Sequence, residues 1–76
     1  MNNKNSSIKE KIIAATIECI EETGLQLITI RSIGAKAGVN SAAINYYFGT
    51  KEKLIEEALK RSLEEFKKIP EDILHP

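Results

Sequence analysis

The stretch TIRSIGAKAGVNSAAINYYFGTK, residues 29–51, decides the fold. Thr29 is a good N-cap, and Ile30 to Ala37 then reads as a short helix with Ile33 and Ala37 facing inward. Gly38 ends it. After the turn Gly38-Val39-Asn40, Asn40 caps a second short helix from Ser41 to about Tyr47, with Ala43, Ile44 and Tyr47 as candidate inward positions. Gly34 stands in mid-helix, where it costs about 1 kcal/mol relative to alanine, and close approach of the second short helix would explain it. Val39 and Ile44 are placed to plug the angle between the two helices, which leaves Ser41, Ala42 and Asn45 on the outside. Two brief helices joined by a glycine-containing turn have the outline of a helix-turn-helix.

Longer amphipathic helices flank this unit. Upstream, Ser7-Ile8-Lys9-Glu10 has the form of a capping box, Ser7 accepting from the Glu10 backbone while Glu10 reaches back. Ile8, Ile12, Ala15, Thr16, Cys19 and Ile20 recur at helical spacing, widened by Ile13 and Ile17 and opposed by Glu18, Glu21 and Glu22, until Gly24 offers a left-handed stop. Leu25, Leu27 and Ile28 fill a short connection. Downstream, Thr50 caps a long helix from Lys51 with Leu54, Ile55, Ala58, Leu59, Leu63 and Phe66 at core spacing, ended by Pro70. Its acids are expected in i, i+4 pairs such as Glu56 with Lys60 and Glu64 with Lys68. The expected architecture is all-α, a small bundle of four helices containing a helix-turn-helix. Residues 1–7 are expected to be a disordered tail, 8–69 the domain, and 70–76 the truncated start of a further C-terminal domain.

With 76 residues there is room for one modest core. Apolar content of 42% with 29% charged residues is ordinary for a globular domain. Formal net charge is zero, so composition alone supplies no electrostatic reason to expect nucleic acid. Position changes this, because all 11 carboxylates lie outside Thr23 to Lys51, a segment that carries Arg31, Lys36 and Lys51. The lone Cys19 can form no internal disulfide and reads as a small core residue. A polar Met1 to Ser7 and the lack of an apolar run of membrane length lead to the expectation of a cytoplasmic protein. His75 has no second ligand near it, and no paired carboxylates, Cys/His arrangement or phosphate loop appears, so neither an enzyme, a metal site nor a cofactor is expected.

A helix that reads DNA needs small or amide side chains at the base edges, since asparagine pairs bidentate with adenine and alanine meets the thymine methyl. Ser41, Ala42, Ala43 and Asn45 suit that task. Flanking donors to phosphate are available in Thr29, Arg31, Tyr46, Tyr47 and Lys51, with the N-terminus of the fourth helix as a further anion site. Phe48 belongs in the core; Tyr46 and Tyr47 can serve either there or on phosphate.

The run Thr29 to Asn40, followed by Ile44-Asn45-Tyr46-Tyr47-Phe48-Gly49-Thr50-Lys51-Glu52-Lys53-Leu54, resembles the N-terminal domain of the TetR family of repressors. The likeness extends over roughly Lys9 to Leu63. It implies a dimeric repressor whose third helix enters the major groove of a palindromic operator. It also implies a separate C-terminal helical domain, not among these residues, that binds a small inducer and dimerises. Carried over, the family pattern puts base contacts on Ser41, Ala42, Ala43 and Asn45 and phosphate contacts on Thr29, Arg31, Tyr46, Tyr47 and Lys51. Three positions depart from it: many members have an aromatic where Asn45 stands, a histidine where Tyr47 stands and an alanine where Gly34 stands. The partner implied is double-stranded DNA, with a homodimer in the full-length parent and a monomer for these residues alone. The alternative is a helical protein-interaction module using the Ser41 to Tyr47 face, and salt dependence separates the two.

Overall fold

The computed structural model describes residues 4–67, with side chains described over 7–64. Four α-helices are present among them: α1 (Lys4–Thr23), α2 (Ile30–Ala37), α3 (Ser41–Phe48) and α4 (Lys51–Lys67), with a single 3-10 turn at Leu25–Leu27. The all-α expectation therefore stands.

The core takes one fully buried large side chain from nearly every segment: Ile12 from α1, Ile28 from the connection, Ile33 from α2, Ile44 from α3 and Leu54 from α4. Each contributes about 1.5–3 kcal/mol by leaving water. On α1 the stripe Ile12, Ile13, Ala15, Thr16 and Cys19 is buried, as its spacing predicts. Thr16 is the polar member, and its hydroxyl donates to the Ile12 carbonyl at 2.8 Å, which removes the cost of an unsatisfied buried donor. On α4 the expected stripe is only half used. Leu54 and Ala58 are buried, but Leu59 and Leu63 are exposed, because α1 covers only part of that helix; the Phe66 side chain lies outside the described set.

Local chemistry sets the helix ends. Thr29 Oγ1 accepts from the Ser32 amide at 3.0 Å while Ser32 Oγ accepts from the Thr29 amide at 3.1 Å, a reciprocal cap that starts α2. Asn40 Oδ1 accepts from the Ala43 amide at 2.8 Å to start α3, and Thr50 Oγ1 from the Lys53 amide at 3.0 Å to start α4. The end of α3 falls at Phe48, one residue past expectation. Gly24 has positive φ, as a stop requires, yet its ψ of 163° is extended and not left-handed helical.

The expected start of α1 needs correction. Lys4 to Ser7, placed in the tail by sequence, are helical, and residues 1–3 and 70–76 lie outside the described residues. Asn5-Ser6-Ser7 contains neither proline nor glycine, so nothing stops the helix from running one turn back through Ser7. Glu10 does not reach back to Ser7; both its carboxylate oxygens bind the Arg61 guanidinium of α4, one of them at 2.9 Å. Glu56, expected to pair with Lys60, instead lies 3.8 Å from Lys53.

The bidentate hydrogen bond from Arg61 holds the Glu10 carboxyl below its ordinary value of 4.5. A lowered carboxylate contributes stability above that ordinary value and loses it as pH falls through the folded value. The pair is substantially exposed, so its worth is about 0.2–1 kcal/mol. Urea melts of Glu10→Gln should lie below wild type by that amount at neutral pH, and the gap should close as pH drops beneath 4.5. A gap of constant size down the acid limb would mean that the α1–α4 pair does not form in solution.

Candidate nucleic-acid interface

The direction in which α3 points is decided by what it buries. At about 100° per residue, its exposed positions Ser41, Ala42, Asn45 and Tyr46 fall on one continuous arc. Ile44 and Phe48 are buried on the side that adjoins Ser41, and Ala43 and Tyr47 are half-buried on the side away from the arc. Three of the four residues expected at base edges are thus exposed. Ala43 is partly covered, while its amide is occupied by Asn40.

The close packing of α2 against the Gly38-Val39-Asn40 turn depends on Gly34. A Cβ there would stand 2.7 Å from the Val39 carbonyl oxygen and 3.5 Å from Ile44 Cδ1. The expectation of close approach at Gly34 holds, but the atom that demands glycine belongs to the turn, with α3 in ordinary contact beyond it. The Gly34 carbonyl accepts from the amides of Gly38 at 2.8 Å and Val39 at 3.0 Å, which folds the chain tightly back. Gly38 makes this turn at φ 78°, ψ 29°, the left-handed region that a side chain disfavours.

Around the open arc, Thr29 and Arg31 are exposed at the N-terminus of α2. The Thr29 hydroxyl accepts within the cap, which leaves its hydrogen able to donate outward. Lys51 is half-buried, and its ammonium donates to the Ile28 carbonyl at 3.3 Å, tying the first residue of α4 to the entry of α2. An ammonium has three hydrogens, so this bond does not exhaust it. Tyr46 and Tyr47 differ in exposure: Tyr46 is 80% exposed, Tyr47 is half-buried, and their rings meet edge to face with centroids 5.1 Å apart.

Lys36 does not belong to this face. Its ammonium is 2.9 Å from Glu22 and 3.7 Å from Glu18 of α1, and the hydrogen bond to Glu22 raises its pKa above the ordinary 10.5. A segment free of carboxylates in sequence is supplied with them by its neighbour in space. Conversely, Lys9 of α1 stands over the Phe48 ring at 5.8 Å, beside the end of α3, a placement that no local pattern announces. Among the described residues no group of three His, Cys, Asp or Glu side chains is gathered where it could hold a metal.

The sequence profile of the bacterial regulatory proteins of the tetR family matches residues 12–58. The chain belongs to the TetR family. The members of that family are bacterial regulatory proteins. Relatives include the HTH-type transcriptional regulator BetI of Stenotrophomonas maltophilia, 37% identical over 78% of this chain and 30% of that protein. BetI 1 of Chromohalobacter salexigens is 40% identical over 72% of this chain and 27% of its own length. The HTH-type transcriptional dual regulator CecR of Shigella flexneri is 46% identical over 71% and 24%. The chain thus spans less than a third of these TetR-family relatives, and the matched part includes the two short helices and their turn. No solved structure matches the chain significantly.

Branched carbons at residue 34 would strike a backbone oxygen. Gly34→Val is expected to cost about 1–3 kcal/mol, read as a Tm lowered by about 4–8 °C per kcal/mol. An unchanged Tm would mean that α2 and the turn are not held at this separation.

Proposed function

We propose that this domain binds double-stranded DNA with α3 in the major groove, as a sequence-specific regulator of the repressor type. The observation that carries the reading is the open arc of α3, small and amide side chains with no carboxylate between residues 23 and 51, held outward by the burial of Ile44 and Phe48. Ser41, Ala42 and Asn45 are the base-edge residues, with Ala43 at the margin. Thr29, Arg31, Tyr46, Tyr47 and Lys51 hold phosphates and set the register. The exposed Tyr46 phenol favours a role outside the core.

In a parent chain as long as BetI, of which the match is 30%, the remainder would carry a small-molecule inducer site and the dimer interface. A dimer places two copies of α3 one helical turn apart on a palindromic operator in the cytoplasm. Taken alone, these 76 residues are a monomer of weak DNA affinity, since one module makes few phosphate contacts. Sedimentation as a monomer is expected, and a tight dimer would refute this.

Binding to a pool of random duplexes at low and moderate salt, with sequencing of what stays bound, tests the main reading. An enriched motif and an affinity that falls steeply with salt are expected. Asn45→Ala should relax preference at one base position by about 1–3 kcal/mol. Lys51→Ala should weaken all duplexes evenly and lower the salt slope by about 0.9. Equal losses on every duplex for Asn45→Ala would rule out base contact by that residue. No binding at any salt, in a longer chain as well, would favour a helical protein-interaction module.

A further inference from the structure

Lys9 lies on α1, outside both the helix-turn-helix and the start of α4. Its side chain is half-buried and carries the ammonium to 5.8 Å from the Phe48 ring centroid. Phe48 is the last residue of α3 and the i, i+3 neighbour of Asn45, so its ring lies where the buried side of α3 borders the open arc. Two attractions hold a cation there: the face of the ring and the negative, carbonyl end of α3.

No direct ion pair engages that charge, and Glu10 acts on it only through space. Glu10, adjacent in sequence, is taken by Arg61 of α4. Among the described residues the ion pairs involve Lys36, Lys53 and Arg61, and Lys9 makes none within 4.0 Å. A lysine whose ammonium is already held over an aromatic ring is pre-positioned for an anion, because little side-chain freedom is left to lose on contact.

We propose that Lys9 is a phosphate-binding residue, carrying the DNA interface from the helix-turn-helix onto α1. It donates to a backbone phosphate flanking the bases faced by the Asn45 end of α3. This rests on the reading of the domain as a DNA binder. Phosphate contacts carry no base information, so Lys9 adds affinity and register and leaves base preference unchanged.

The test measures Kd against salt concentration for wild type, Lys9→Gln and Lys9→Arg on the enriched duplex and on a scrambled one, with a thermal melt of each protein. Lys9→Gln is expected to weaken both duplexes by the same factor and to lower the slope of log affinity against log salt by about 0.9, with Lys9→Arg keeping the wild-type slope. An unchanged slope in Lys9→Gln overturns the proposal, and a lowered Tm with it would assign Lys9 to packing on Phe48. Acylation of lysines in wild type, with and without duplex, gives a reading that needs no substitution. Protection of Lys9 by DNA supports the proposal, and equal reactivity overturns it. Wild type failing to bind any duplex would bring down the DNA-binding reading itself and Lys9 with it, an outcome distinct from wild type that binds with Lys9 unprotected.

Discussion

The Val39 carbonyl oxygen stands 2.7 Å from the place a Cβ on residue 34 would occupy, and the relation of α2 to α3 depends on that approach. Because residue 34 is glycine, the turn can fold under α2 and return two hydrogen bonds to the Gly34 carbonyl. Gly38 supplies the left-handed backbone that makes the return in so few residues. Ile44 is then delivered into the core, against Gly34 on one side. With Ile44 and Phe48 inside, Ser41, Ala42 and Asn45 are left exposed on the other part of the helix surface. Orientation of the candidate reading face is therefore a consequence of a backbone contact made on the far side of α3.

Charge is sorted by the same packing. A net charge of zero hides a division in space, with Lys36 held by the acids of α1 and Glu10 held by Arg61 of α4. Cationic or neutral groups stand around the open arc at several points: Arg31 and Thr29 at the entry of α2, Lys51 at the start of α4, and Lys9 beside the end of α3. Fields that steer a polyanion depend on local arrangement more than on the sum. The Lys51 bond to the Ile28 carbonyl also couples the interface to the fold, since one side chain ties α4 to the cap of α2.

The core that supports this is small. One large side chain from each segment meets at the centre, and a domain of this size has a total stability of only about 5–10 kcal/mol. The second half of α4 adds little apolar burial, because Leu59 and Leu63 remain exposed. Helical spacing marks a residue as able to face a core, whereas burial requires another element on that side.

Local sequence determined most of the fold. Caps at Thr29, Asn40 and Thr50, the apolar stripe of α1 and the glycine turn all act within a few residues, so they can be read without knowing which helices pack together. The family signature is legible for the same reason, being carried on one unbroken stretch. The backward extension of α1 through Ser7 was less so, since a serine caps or continues a helix with little difference in energy. Only tertiary structure decided the fate of Lys36, the partner of Glu10, the division between Tyr46 and Tyr47, and the placing of Lys9 beside Phe48. Each depends on which helix lies opposite, and long-range pairings of charges and rings leave no periodic trace in the chain that carries them.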